Sequence, residues 1–122
     1  MEQIKNYKDL KVWQSAYSLA LSVYRRTKEF PKEELYGLVG QARRSCVSVV
    51  PDIAEGYARK GTAEYLRFLS IAYASLAELE TQLMLSKDLE YLKVTDFHGL
   101  SKKKDEAGGM LYKLKEKIRS FV

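Results

Sequence analysis

Residues 62–87 read TAEYLRFLSIAYASLAELETQLMLSK. Apolar side chains recur at Tyr65, Leu66, Phe68, Leu69, Ile71, Ala72, Tyr73, Leu76, Ala77, Leu79, Leu83 and Met84. Neither Gly nor Pro interrupts them, and the spacing predicts one long helix from Thr62 to Lys87. These positions occupy nearly every side of the cylinder. Such a helix is central in a large core, or another chain covers its second side. A chain of 122 residues has little interior to hide it, so a subunit interface is the better reading.

Three more amphipathic segments surround it. The first runs from Asp9, a plausible N-cap, to Phe30, with Val12, Trp13, Ala16, Tyr17, Ala20, Val23 and Tyr24 on one face. Pro31 ends it by disfavouring helical geometry at Phe30. The second runs from Lys32 to Ala58, with Glu33 and Glu34 suited to the positive end of its dipole. Pro51 lies inside that pattern, and a kink or short break is expected there. Gly56 and Gly61 bracket its end. The last runs from Thr95 to Phe121, capped by Thr95 or Asp96. Its apolar residues alternate by three and four, with one defect at Lys104. Gly108 and Gly109 sit mid-helix at a cost of about 1 kcal/mol each relative to Ala. They either permit a close contact or mark a weak spot. Short connections between long helices imply antiparallel neighbours. The expectation is all-α: one domain over residues 1–122, an up-down-up-down antiparallel four-helix bundle.

Composition narrows the function. One Cys and one His among 122 residues exclude a disulfide framework and a His/Cys zinc site within one subunit. Cys46 reads as a small buried hydrophobe, since its only available base would be His98. The Glu64, Glu78 and Glu80 carboxylates lack the Glu-x-x-His pairs of a di-metal bundle. No Gly-rich phosphate loop, G-x-S-x-G or C-x-x-C occurs. The reading is a protein that is not an enzyme and has no metal or cofactor. The leading stretch MEQIKNYKDL (Met1–Leu10) has no apolar signal segment. No apolar run approaches the roughly 20 residues of a membrane span. A cytoplasmic protein without membrane partners is expected.

Charge points to one class of partner. The net charge is +5. From Gly99 onward the chain holds seven basic and three acidic residues, so most of the excess lies on the last helix. That is either a solvated face or a stripe that meets a polyanion. Arg43, Arg44, Arg59 and Lys60, with Lys102, Lys103 and Lys104, are the candidate nucleic-acid-binding residues. At Arg43 and Arg44 two readings stand: structural contacts within the bundle, or phosphate contacts. Arg44, Ser48, Glu55 and Arg59 share one helix face; the structural reading is an intrahelix ion pair plus contacts to Glu78 or Glu80 on the next helix. No aromatic-interleaved stacking motif stands out.

The residues also carry a family pattern. Asp9-Leu10, Val12-Trp13-Gln14 and Phe30-Pro31 are followed by Gly37-Leu38, Gln41, Arg43-Arg44, Val49 and Pro51. Ile53-Ala54-Glu55-Gly56, Arg59, Glu64-Tyr65, Phe68-Leu69, Ile71-Ala72, Ser75 and Glu78-Leu79-Glu80 complete it. In this order they resemble a bacterial four-helix-bundle family, first named for reading frames inside intervening sequences of large-subunit ribosomal RNA genes. The resemblance implies a ring-shaped homopentamer. It also implies kinship with the accessory variability protein of diversity-generating retroelements, a basic pentamer that associates with a reverse transcriptase and with nucleic acid. Asp52 stands where the family usually has Asn, and Ala74 where Gly is common. Five copies of a +5 chain would attract RNA or DNA. The expected partners are thus the chain itself, RNA or DNA, and in an alternative adaptor or scaffold reading a partner enzyme such as a reverse transcriptase.

Overall fold

Thr27 ends the first helix, three residues before the position expected from Pro31. Its hydroxyl donates back to the carbonyl of Val23 at 2.8 Å, and the chain then turns through Phe30 into Pro31. The computed structural model describes residues 4–121. Met1–Gln3, part of the stretch read for a targeting signal, and Val122 lie outside them. Four helices make up the fold: α1 (Lys11–Thr27), α2 (Gly40–Ala58), α3 (Thr62–Asp88) and α4 (Val94–Arg119). α1 packs against α2 and α4, and α3 packs against the same two. The bundle is antiparallel, with α2 and α4 at opposite corners.

The helix ends correct several expectations. Asp9 does not cap α1. Its carboxylate accepts from the backbone N–H of Lys5 at 2.8 Å and of Asn6 at 3.2 Å, closing a short turn over Tyr7–Asp9. Lys93, not Thr95 or Asp96, precedes α4, and Asp96 instead faces Arg26 at 3.6 Å. α4 stops at Arg119, short of Phe121.

The segment expected to begin α2 is irregular. Lys32–Glu34 forms a tight turn and Leu35–Val39 a wide one, and Gly37 has non-helical angles of φ −105° and ψ −114°. Glu34 holds this region: Oε1 accepts from Leu38 N–H at 3.2 Å, and Oε2 accepts from the Tyr91 hydroxyl at 3.2 Å. The break is therefore at Gly37 and not at Pro51, which sits inside a continuous α2. Pro51 removes the amide that would reach the Val47 carbonyl. Both residues are on the exposed side of α2, where water can take the lost amide's place. Near the other end, a Cβ on Gly56 would come within 3.0 Å of Phe68 Cβ, so a glycine here lets α2 approach α3.

The core is built from one stripe of each helix. Leu19 and Val23 of α1 meet Val49 and Ile53 of α2, Leu69, Leu76, Leu79 and Leu83 of α3, and Leu100 and Leu111 of α4. All are essentially inaccessible. α3 buries its leucine stripe in this core, while apolar Ile71, Tyr73, Met84 and Leu85 on its other sides are exposed. The α3–α4 turn carries Glu90 at φ 66°, a left-handed position that usually falls to Gly. No helix among the described residues is long and apolar enough to cross a membrane.

Candidate nucleic-acid interface

Arg43 turns inward to the end of α1. Its Nε donates to Thr27 Oγ1 at 3.0 Å and its Nη2 donates to the Tyr24 carbonyl at 3.4 Å. The guanidinium also lies 4.6 Å from the Tyr24 ring centroid. The last carbonyls of a helix have no partner within it, and a cation there satisfies them and opposes the dipole. Arg43 thus serves the bundle. Arg44, one residue on, is exposed. It borders a polar groove of about 400 Å³ with Ser45, Ser48, Ser75, Glu78 and Gln82. Among the described residues no ion pair joins Arg44 to Glu78 or Glu80; Glu80 is engaged by Lys104, and the intrahelix pair formed is Arg59–Glu55.

At the opposite end of α2, Arg59 lies 3.6 Å from Glu55 and 5.2 Å from the Phe68 ring centroid. Lys60 is exposed in the following turn. On α4, Lys102 is exposed, while Lys103 donates to Ser18 Oγ of α1 at 2.9 Å. Lys104 donates to Glu80 Oε2 at 2.8 Å and to Asp105 Oδ1 at 3.0 Å. Burial works against the Lys104 charge, but its two carboxylate partners outweigh that and raise its pKa. The seven candidates do not converge. They divide between opposite corners of the bundle, and Arg43, Lys103 and Lys104 are held by intramolecular hydrogen bonds.

One basic surface that is open is the outer side of α4. Lys102, Lys113 and Lys117 are exposed, and their spacing of eleven and four residues keeps them on one side of the helix. Glu106 falls within the same row. Lys113 and Lys117 were not among the candidates, although their helical register made them readable.

Two other features depend on pairings between helices. Between α3 and α4 lies a groove of about 390 Å³, lined by Tyr73, Ala77, Gly108, Gly109 and Tyr112, with Glu80, Lys104 and Asp105 also at its edge. Lys115 Nζ sits 5.0 Å from the Tyr73 ring centroid. Across α1 and α2, Tyr17, Leu21, Tyr24, Val47 and Pro51 line an apolar hollow of about 380 Å³.

Two further groups, both on α2, are shifted by burial. Burial pushes the Cys46 thiol up to about 11, so it stays protonated. Burial also raises the Asp52 carboxyl, although the Ser48 hydroxyl donates to it at 3.1 Å. Ser75 in turn donates to Ser48 at 3.3 Å, joining α3 to this short chain.

The fold has a solved relative. A protein of unknown function from the S23 ribosomal protein family of Bacteroides thetaiotaomicron superposes with a TM-score of 0.80 at 21% identity, covering 86% of this chain and 95% of that one. No curated protein matches the chain. The four-helix order, the Arg43–Arg44 and Ile53–Gly56 motifs and the α3 pattern all lie within the segment 8–113 that matches the 23S rRNA-intervening sequence protein model. The chain belongs to the 23S rRNA-intervening sequence protein family.

Proposed function

We propose that the chain is a non-catalytic homo-oligomer that binds nucleic acid through the outer basic side of α4. The supporting observation is the exposed row Lys102, Lys113 and Lys117 on the helix that carries most of the net charge. Arg44 near the start of α2, and Arg59 and Lys60 just past its end, add two separate, weaker basic points. Exposed lysines attract phosphates and displace counterions without reading base sequence. A homopentamer, as the family resemblance implies, would repeat each row five times and multiply a weak contact by avidity.

The test is fluorescence anisotropy with mixed-sequence RNA and DNA at stepped salt. The expected result is binding that weakens steeply with salt, with a slope reduced by about one for each lysine removed from the row. Absence of any complex at micromolar protein and low salt overturns the reading. Light scattering tests the assembly separately, and a particle of about 14 kDa overturns the oligomer.

A second reading is a protein–protein adaptor that docks a partner enzyme without touching nucleic acid. The apolar hollow on α1 and α2 favours it, because Tyr17, Leu21, Tyr24 and Val47 are all at least 40% exposed. On this reading Tyr17→Ala with Val47→Ala should abolish that docking, and the wild-type protein should give no complex in the anisotropy titration.

A further inference from the structure

Gly109 is in the middle of α4, yet nothing among the described residues requires a glycine there. A Cβ built on it meets no heavy atom within 4 Å, and one on Gly108 meets only Leu76 Cδ1 at an ordinary 3.8 Å. Each glycine costs a helix interior about 1 kcal/mol relative to Ala. The packing of α3 on α4 gives nothing back for the outer one. What the pair does is keep the α3–α4 groove open, since both glycines line it. Its walls include Tyr73 and Tyr112, 42% and 55% exposed.

We infer that this groove receives an unpaired nucleobase of a single-stranded nucleic acid. The inference rests on the nucleic-acid reading above and names the form of the ligand. Four observations support it. The volume of about 390 Å³ is within the roughly 300–1,000 Å³ of small-ligand sites. Tyrosine faces stack on any base, a contact open to single strands and closed to a paired duplex. Lys115 Nζ lies over one face of the Tyr73 ring, 5.0 Å from its centroid, so it supplies a cation at the groove while the more exposed Tyr112 offers the free stacking face. Finally, the groove itself is not basic: Lys104 is matched by Glu80 and Asp105. Carboxylates repel phosphate but accept hydrogen bonds from base amino groups. That distribution admits a base and leaves the backbone outside, toward the lysine row.

The experiment compares single-stranded RNA and DNA of about 12 nucleotides with duplexes of the same length, by anisotropy at moderate salt. Both single strands are used because stacking is common to them. Tyr112→Ala should weaken single-strand binding about tenfold, and Tyr112→Phe should restore it. Gly109→Leu fills the groove while improving helix propensity, so it should lose single-strand binding with the fold intact. Duplex binding should not respond to any of these changes. If wild-type protein binds both forms and neither Tyr112→Ala nor Gly109→Leu changes single-strand affinity, the stacking inference is overturned and the basic-surface reading stands. If wild-type protein binds neither form, the reading beneath it falls as well.

Discussion

Lys104 Nζ of α4 lies 2.8 Å from Glu80 Oε2 of α3, at the single position where the α4 heptad pattern lacks an apolar residue. The Lys104 side chain is only 16% exposed. The pair therefore sets the register of two helices where the core seam is interrupted. Such pairs fix alignment more than they add stability, because burial of the charge offsets much of the attraction.

The pair has a pH signature. The folded pKa of Lys104 is raised, so its contribution is fully present below the unfolded lysine value of about 10.4 and is lost as pH rises through the folded value. Tyr65 acts in the same direction, since burial pushes its hydroxyl up to about 12. Stability should fall above pH ~10. Lys104→Met completes the apolar seam, stays within about 1 kcal/mol of wild type at neutral pH, and shows a shallower alkaline decline. Thermal unfolding across that range checks it.

Asp52 gives the opposite opportunity. Its folded pKa is raised, so folding favours the protonated carboxyl. Ionisation as pH rises from about 4 then lowers stability, and that loss is fully present above the folded pKa. Asp52→Asn keeps an acceptor for Ser48 and removes the charge. It should raise the neutral-pH melting temperature, within the ~0.5–2 kcal/mol usual for single stabilising changes. The gain should vanish at low pH.

Leu79 is fully buried and Leu76 nearly so. Leu79→Ala should cost about 2–5 kcal/mol, measured by urea denaturation. Glu at either position should unfold the subunit, since both face the intramolecular core.

Arg43→Ala should destabilise by about 1–2 kcal/mol, typical for losing a helix-end contact. Its effect on nucleic-acid affinity, measured under conditions where the variant is folded, should be negligible. Lys substituted there keeps the charge but loses the planar donor fork and should recover only part of the loss.

The helices were legible because their apolar spacing is local information. Leu69, Leu76 and Leu83 announce one stripe, and the short α2–α3 and α3–α4 connections announce antiparallel neighbours, whereas the α1–α2 connection expected at Pro31–Lys32 runs from Lys28 to Val39. The break was misplaced because Pro51 has a rule attached to it. The departure at Gly37 depends on Glu34, which is anchored by Tyr91 from the far side of the chain. The basic candidates were legible only as a composition. Arg43 faces Thr27 and Lys103 faces Ser18, pairings set by interhelical register. Tyr73 and Tyr112 line one groove for the same reason, although 39 residues separate them. The two glycines were visible from the start, but their spatial surroundings were not.

The corner-to-corner placement of α2 and α4 has a consequence for architecture. An anionic strand lying along the α4 lysines leaves Arg44, Arg59 and Lys60 directed away from it, on the other side of the core. On the proposed binding, one bundle would be a spacer with two attachment sides, and neighbouring interhelical distances of about 8–10 Å would make it only a few nanometres thick. A particle built from such units would tie separate segments of one long polymer together, so the proposed binding extends from simple capture to compaction of a transcript.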